Sequence, residues 1–169
     1  MEFTPSAEGR MIRDLAADLA ESEFADDAFT WETSYPEPNV EILAGQGLLG
    51  IAPPATYGGG GFSVVEVLLA QEAVGRVCPD TAHVLSRSSM GAPRGIAELG
   101  SDHLKERYLP AVCAGESVMS VAISESGAGS DAGAMETTAT VADGEVTLDG
   151  HKLWVTKGGV CDAFLVYAK

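Results

Sequence analysis

The 169-residue chain reads as an α+β protein: a helical bundle followed by an incomplete, antiparallel β-domain. Three observations predict this. Apolar residues recur at helical spacing through the first two thirds. From Ser117 onward they fall into short β-type runs, SVMSVAI, METTATV, EVTLDG, HKLWVT and DAFLVYA. The order, helices first and strands after, argues against alternating βαβ units and a parallel sheet. The boundary falls near Gly115, giving a helical domain over 1–115 and a β-domain over 116–169.

In the first helix, Thr4 is the expected cap with Pro5 at the first helical position. Met11, Ile12, Leu15, Leu19 and Phe24 supply its apolar face. A shorter helix over Val40, Ile42 and Leu43 ends at Gly45 and Gly47. Ser63 and Glu66 form a capping box ahead of VVEVLLAQEAVG. Apolar residues surround that helix, so it is expected in the middle of the bundle. Asp80 opens the next helix, interrupted near Gly91 and Pro93 and ended at Gly100. Ser101 starts the last, carrying Leu104, Tyr108 and Leu109 towards Pro110. Asp143-Gly144 and Asp149-Gly150 are tight-turn dipeptides between strands. Only about 50 residues remain for the sheet, too few to cover both faces. Either a partner chain completes it or the sequence is a fragment.

Composition narrows the function. Apolar residues make up 46%, enough for a packed core without disulfides. The formal charge of −15 opposes nucleic acid and anionic membrane as partners. Cys78, Cys113 and Cys161 stand far apart and odd in number, which suits a reducing compartment. With no signal peptide in MEFTPSAEGR and no run long enough to span a bilayer, a cytoplasmic protein is expected.

Several stretches are candidates for chemistry. ISESGAGSDAG, residues 123–133, sets three glycines, three hydroxyls and two carboxylates directly after an apolar run. Its spacing fits neither the dinucleotide fingerprint nor a P-loop, so it is either a surface turn or a place where a ligand meets the backbone. YGGGG at 57–61 reads as a connection between helices. Glu125 and Asp131 are either an acid/base pair or backbone-capping groups. His83, His103 and His151 lack metal-ligand spacing. Trp154 and Thr156 alternate in HKLWVT, so on a strand both would face one way: a half-buried sheet surface, or an aromatic wall beside a hydroxyl donor.

In order, APPATYGGGGFS, YLPAVCAGE, VAISESGAGSDAGAMETTAT, LDGHKLWVTKGG and DAFLVYAK resemble the motifs of the acyl-CoA dehydrogenases, strongly from Tyr108 onward. The resemblance implies FAD bound against the β-domain. Val121, Ala122, Ile123, Ser124, Gly129 and Ser130 would supply backbone and hydroxyl contacts. Trp154, Val155 and Thr156 match the "WIT" contacts, with the Thr156 hydroxyl near flavin N5. Ser130 would also approach the substrate, an acyl-CoA or acyl-carrier thioester. Arg87, in SRSSMG, lies where the acyl pocket would be lined, and is either a ligand for an acidic acyl group or a solvated arginine. Glu125 and Asp131 would pin the loop. The implied reaction is α,β-desaturation of the thioester with hydride transfer to FAD, as in fatty acid metabolism. An electron-transfer flavoprotein or other acceptor would then take the electrons, within a homo- or hetero-oligomer. Ser126 and Lys157 stand where the family has proline and asparagine. The family's C-terminal helical domain, which brings the catalytic glutamate, has no counterpart in these residues. No catalytic residue is therefore assigned, and this chain alone is expected to be inactive. A non-catalytic thioester-binding or interaction subunit, and a flavin oxidase or monooxygenase of the same superfamily, remain alternatives.

Overall fold

The computed structural model describes residues 4–169. Six helices precede four short strands: α1 Ala7–Leu19, α2 Glu37–Gly45, α3 Val64–Gly75, α4 Pro79–Ser89, α5 Gly91–Leu99, α6 Asp102–Cys113, then β1 Met119–Ala122, β2 Thr138–Ala142, β3 Glu145–Asp149 and β4 Ala163–Val166.

Ser6, rather than Thr4, caps α1: its hydroxyl accepts from the Gly9 N–H at 2.8 Å. Gly9 lets α1 lie close to α3, where an added Cβ would sit 3.2 Å from Leu69. The buried face of α1 is therefore built of small residues, Gly9, Ala16 and Ala20, flanked by Ile12 and Leu19. Met11 and Leu15, expected on that face, are 72% and 37% exposed. Phe24 does reach the core, because α1 continues into a wide π turn over Ala20–Phe24 that suits its five-residue spacing from Leu19.

The capping box of α3 is present, with the Ser63 N–H donating to Glu66 at 3.0 Å. The same carboxylate accepts from the Ser6 hydroxyl at 3.5 Å, so it ties together the starts of two helices. Those hydrogen bonds hold the Glu66 carboxyl below its ordinary range. Yet α3 does not lie in the middle of the bundle, since Val65 and Leu68 are 55% and 50% exposed. That place belongs to α4, which buries Thr81, Ala82, Val84, Leu85, Ser86, Ser88 and Ser89. Its hydroxyls are satisfied locally: Ser86 and Ser88 donate to the carbonyls of His83 and Leu85, and Ser89 to that of Leu49. Asn39 on α2 donates to Thr81 at 2.8 Å, and Cys78 lies 3.0 Å from the same hydroxyl.

The helix from Ser101 runs past Pro110 to Cys113 instead of ending there. Proline removes the N–H that would reach the Glu106 carbonyl, but Glu106 and Pro110 are both exposed, so water takes its place.

The expected fold class stands, with one change in the sheet. β2 and β3 form an antiparallel hairpin around Asp143-Gly144, both at positive φ (52° and 81°). β1 and β4 instead pair in parallel, with Met119 opposite Ala163 and Ala122 opposite Val166. Parallel pairing follows from the long excursion between them. Residues 151–156 make no ladder strand, so Asp149-Gly150 closes no hairpin. One core lies beneath α1 to α4. A second joins α5, α6, β1 and β4 through Ile96, Leu109, Val112, Met119 and Leu165. Among the described residues, no helix is long and apolar enough to cross a membrane.

Candidate functional site

β1 delivers the chain into the glycine-serine turn. Glu125 and Ala128 exchange two backbone hydrogen bonds, at 2.9 and 3.2 Å, which folds Ser126-Gly127 into a tight corner. The Glu125 carboxylate is spent on structure. It accepts from the N–H groups of Glu136 and Thr137, from the Thr137 hydroxyl, and from Lys152 Nζ at 2.7 Å. The backbone donor of Glu136, then Lys152 and Thr137, hold its carboxyl down at about 2. A carboxylate so held is a clamp rather than an acid/base catalyst near neutral pH. Lys152 also donates to the Ile123 carbonyl at 3.1 Å, and the two ion-pair side chains are only 9% and 8% exposed. Asp131 does not share this role, since its side chain makes no capping bond.

The segment 151–156 runs alongside β1 and its continuation. The Leu153 N–H donates to the Ser124 carbonyl at 2.8 Å, and the Ser120 hydroxyl donates to the Thr156 carbonyl at 2.7 Å. The glycine-serine corner and the Trp154-Thr156 stretch are thereby stitched together at two points. The two side chains of the latter do not alternate on a strand as expected. Trp154 has φ 57°, a left-handed conformation uncommon for an aromatic residue, and its indole is 88% exposed. Too few ladder bonds reach this segment to impose a pleat.

Beneath it lies a cavity of about 40 Å³ between α4 and the β-region. Thr156, Ser120 and Lys157 line one side, and His83, Arg87 and Ser88 the other. The Thr156 hydroxyl forms no hydrogen bond among the described residues. Arg87 Nε donates to His83 Nε2 at 3.0 Å, which requires an unprotonated nitrogen there. Burial first, then the Arg87 and Lys157 cations, hold the His83 pKa below its ordinary value. Lys157 Nζ lies 3.6 Å from Asp80 and 5.8 Å above the Tyr35 ring. Burial, with the negative charge potential of Cys161, Glu37 and Asp162, raises the Tyr35 phenol to about 12.

Of the residues singled out from sequence, Ala122 is buried in β1, while Val121, Ile123 and Ser124 are half-buried along it and just beyond. Val155 and Thr156 are half-buried beside them. Arg87 and Thr156, 69 positions apart in sequence, line one cavity. Arg87, Gly129, Ser130 and Trp154 are exposed, and among the described residues no hydrogen bond ties Ser130 or Trp154 to the rest. His83, Lys157, Ser120 and the Lys152–Glu125 clamp were not among the site residues read from sequence. The i, i+4 spacing of His83 and Arg87 on one helix was a usable signal; nothing local announces the clamp, whose members stand 27 residues apart.

Two family models match in succession: the acyl-CoA dehydrogenase N-terminal domain over residues 6–116 and the acyl-CoA dehydrogenase middle domain over 120–169. The chain belongs to the acyl-CoA dehydrogenase family. Among its relatives is the short-chain-specific acyl-CoA dehydrogenase of Clostridium acetobutylicum, 30% identical over 170 residues, covering 99% of this chain and 45% of the relative. The solved butyryl-CoA dehydrogenase of Megasphaera elsdenii superposes with a TM-score of 0.88 at 28% identity, covering 99% of this chain and 45% of that one. An FAD complex of PigA matches with a TM-score of 0.89 at 26% identity, covering all of this chain and 45% of that one. The chain thus spans a little under half the length of these acyl-CoA dehydrogenase relatives.

Proposed function

We propose that these residues form the helical domain (1–115) and the first part of the β-domain (116–169) of a flavin-dependent acyl-CoA dehydrogenase that desaturates an acyl thioester between its α and β carbons. When bound, FAD accepts the hydride from the β-carbon. Binding and orienting the reactants, and keeping water from them, fall to the chain's own groups.

The observation that carries the reading is the double stitch between β1 and 151–156 above the junction cavity. It sets the Thr156 hydroxyl, which has no hydrogen-bond partner among the described residues, at the wall of that cavity. Gly127 and Gly129 fit a large planar ligand: a Cβ built on either meets nothing within 4 Å, so the backbone is open on that side. The exposed Trp154 indole offers an uncovered aromatic surface one residue after Leu153, whose N–H bonds the Ser124 carbonyl. In this reading, the backbone and hydroxyls of Val121, Ala122, Ile123, Ser124, Gly129 and Ser130 hold the polar edge of the ring. Trp154 and Val155 flank it. The Thr156 hydroxyl donates to the position that receives hydride, stabilising the charge that arrives there. Ser130 also contacts the thioester, Arg87 lines the acyl cavity, and the Glu125–Lys152 clamp fixes the turn. No base for the α-proton is assigned within residues 1–169. A redox partner such as an electron-transfer flavoprotein takes the electrons, and cytoplasmic location fits the unpaired cysteines.

The test is the protein at its natural length. It should purify with a flavin spectrum that bleaches when an acyl-CoA is added without oxygen. Thr156→Val should slow that bleaching roughly tenfold or more, the size of a lost hydrogen bond to a charged centre. A colourless protein that still binds acyl-CoA would replace this reading with a non-catalytic binding subunit.

A further inference from the structure

Thr156 lies between two backbone outliers. Trp154 and Lys157 both hold a left-handed conformation, each at φ 57°. Side chains of this bulk adopt that region rarely, so each costs backbone energy that the surroundings must offset. Strand pairing does not offset it, because 151–156 belongs to no ladder. The segment is held instead by separate contacts around the Thr156–Lys157 peptide. The Cys161 thiol and the Val160 N–H both donate to the Lys157 carbonyl, each at 3.0 Å, and the Gly158 N–H donates to that of Val155 at 3.1 Å. Those three bonds close within residues 155–161 and move with the segment. Lys157 Nζ reaches Asp80 on α4, but at 3.6 Å and between partly exposed side chains.

Ser120 supplies a different kind of hold. It stands on β1, 36 positions earlier, is only 5% exposed, and donates its hydroxyl to the Thr156 carbonyl at 2.7 Å. β1 is itself fixed by its pairing with β4, with Ser120 opposite Phe164. The bond therefore ties the peptide that enters the left-handed Lys157 to a paired strand. The Thr156 hydroxyl lines the junction cavity and bonds to nothing among the described residues, so the backbone that carries it sets its aim.

We infer that Ser120 is a positioning residue: through the Thr156 carbonyl it fixes the backbone that aims the Thr156 hydroxyl at the hydride-accepting position. This rests on the reading that Thr156 serves that position. The experiment has two arms, both on the protein at its natural length. In the first, flavin is removed and hydrogen–deuterium exchange is followed by mass spectrometry over residues 153–158. Ser120→Ala should speed exchange there severalfold. Ser86→Ala, which removes an equally buried hydroxyl from α4, should leave it unchanged. In the second, the flavin-loaded protein is mixed without oxygen with the fastest-bleaching of butanoyl-, octanoyl- and hexadecanoyl-CoA. Ser120→Ala should slow bleaching about threefold or more, the size of a lost neutral hydrogen bond, and no more than Thr156→Val does. Added to Thr156→Val, it should slow bleaching no further, because the hydroxyl it aims is already gone. Unchanged exchange or bleaching in Ser120→Ala, an equal effect of Ser86→Ala, or a double variant slower than Thr156→Val overturns the proposal and leaves the dehydrogenase reading intact. Thr156→Val bleaching as fast as the unaltered protein, or no bleaching by any of the three thioesters, would instead overturn the dehydrogenase reading itself.

Discussion

Replacing Gly127 or Gly129 with alanine should stabilise the flavin-free protein and weaken its hold on flavin. Neither glycine has a left-handed φ, and a methyl group placed on either meets no atom within 4 Å. The added methyl therefore costs nothing in the folded state, while it removes freedom from the unfolded chain. That difference stabilises by about 0.4–1 kcal/mol. For a domain of this length the shift is roughly 1–4 °C in Tm. Gly59 is the control: its Cβ would collide with the Pro53 carbonyl, so Gly59→Ala should lower Tm. Calorimetric melts of the flavin-free protein give the first quantity, and fluorescence titration with FAD gives the second. A lower Tm for both Gly127→Ala and Gly129→Ala would show that the bare backbone serves an internal purpose. Unchanged flavin affinity would show that nothing large approaches it.

Two further outcomes are expected. The Glu125 carboxyl titrates at about 2 in the folded state, against 4.5 in the unfolded chain. Its contribution is therefore complete above pH 4.5 and is lost as pH falls from there towards 2; Glu125→Gln should flatten that part of a plot of urea midpoint against pH. Leu85 is fully buried on α4, so Leu85→Ala should cost about 2–5 kcal/mol in denaturant unfolding.

Those residues also mark what the sequence made legible. The Ser63–Glu66 box and the Asp143-Gly144 turn rest on local rules, and local rules identify them. The central helix was misplaced for a specific reason. PDTAHVLSRSS looks polar, but its serines bond to their own turn or to a neighbouring loop and so can be buried, whereas the more apolar α3 leaves two large side chains in water. Small residues on α1 escaped notice similarly, because close helix approach is decided by the partner. The parallel β1–β4 pairing carries no local signature, and strand propensity alone could not show that 151–156 lacks a ladder. In the site, His83 and Arg87 are one helical turn apart and readable in principle. The Glu125–Lys152 clamp and the cavity shared by Arg87 and Thr156 arise only when distant segments meet.

That parallel pairing also orders events in time. The β2–β3 hairpin closes through two residues and can form as soon as it is made. Met119 must wait for Ala163, 44 positions later, and joining ends that far apart costs roughly 3 kcal/mol of chain entropy. Until β4 arrives, β1 leaves the ribosome, or emerges from denaturant, with a bare row of peptide groups beside an apolar face. The helices can settle early, but β1 gains its partner only once β4 has been made, and the interval before that is when a neighbouring chain is best placed to intrude.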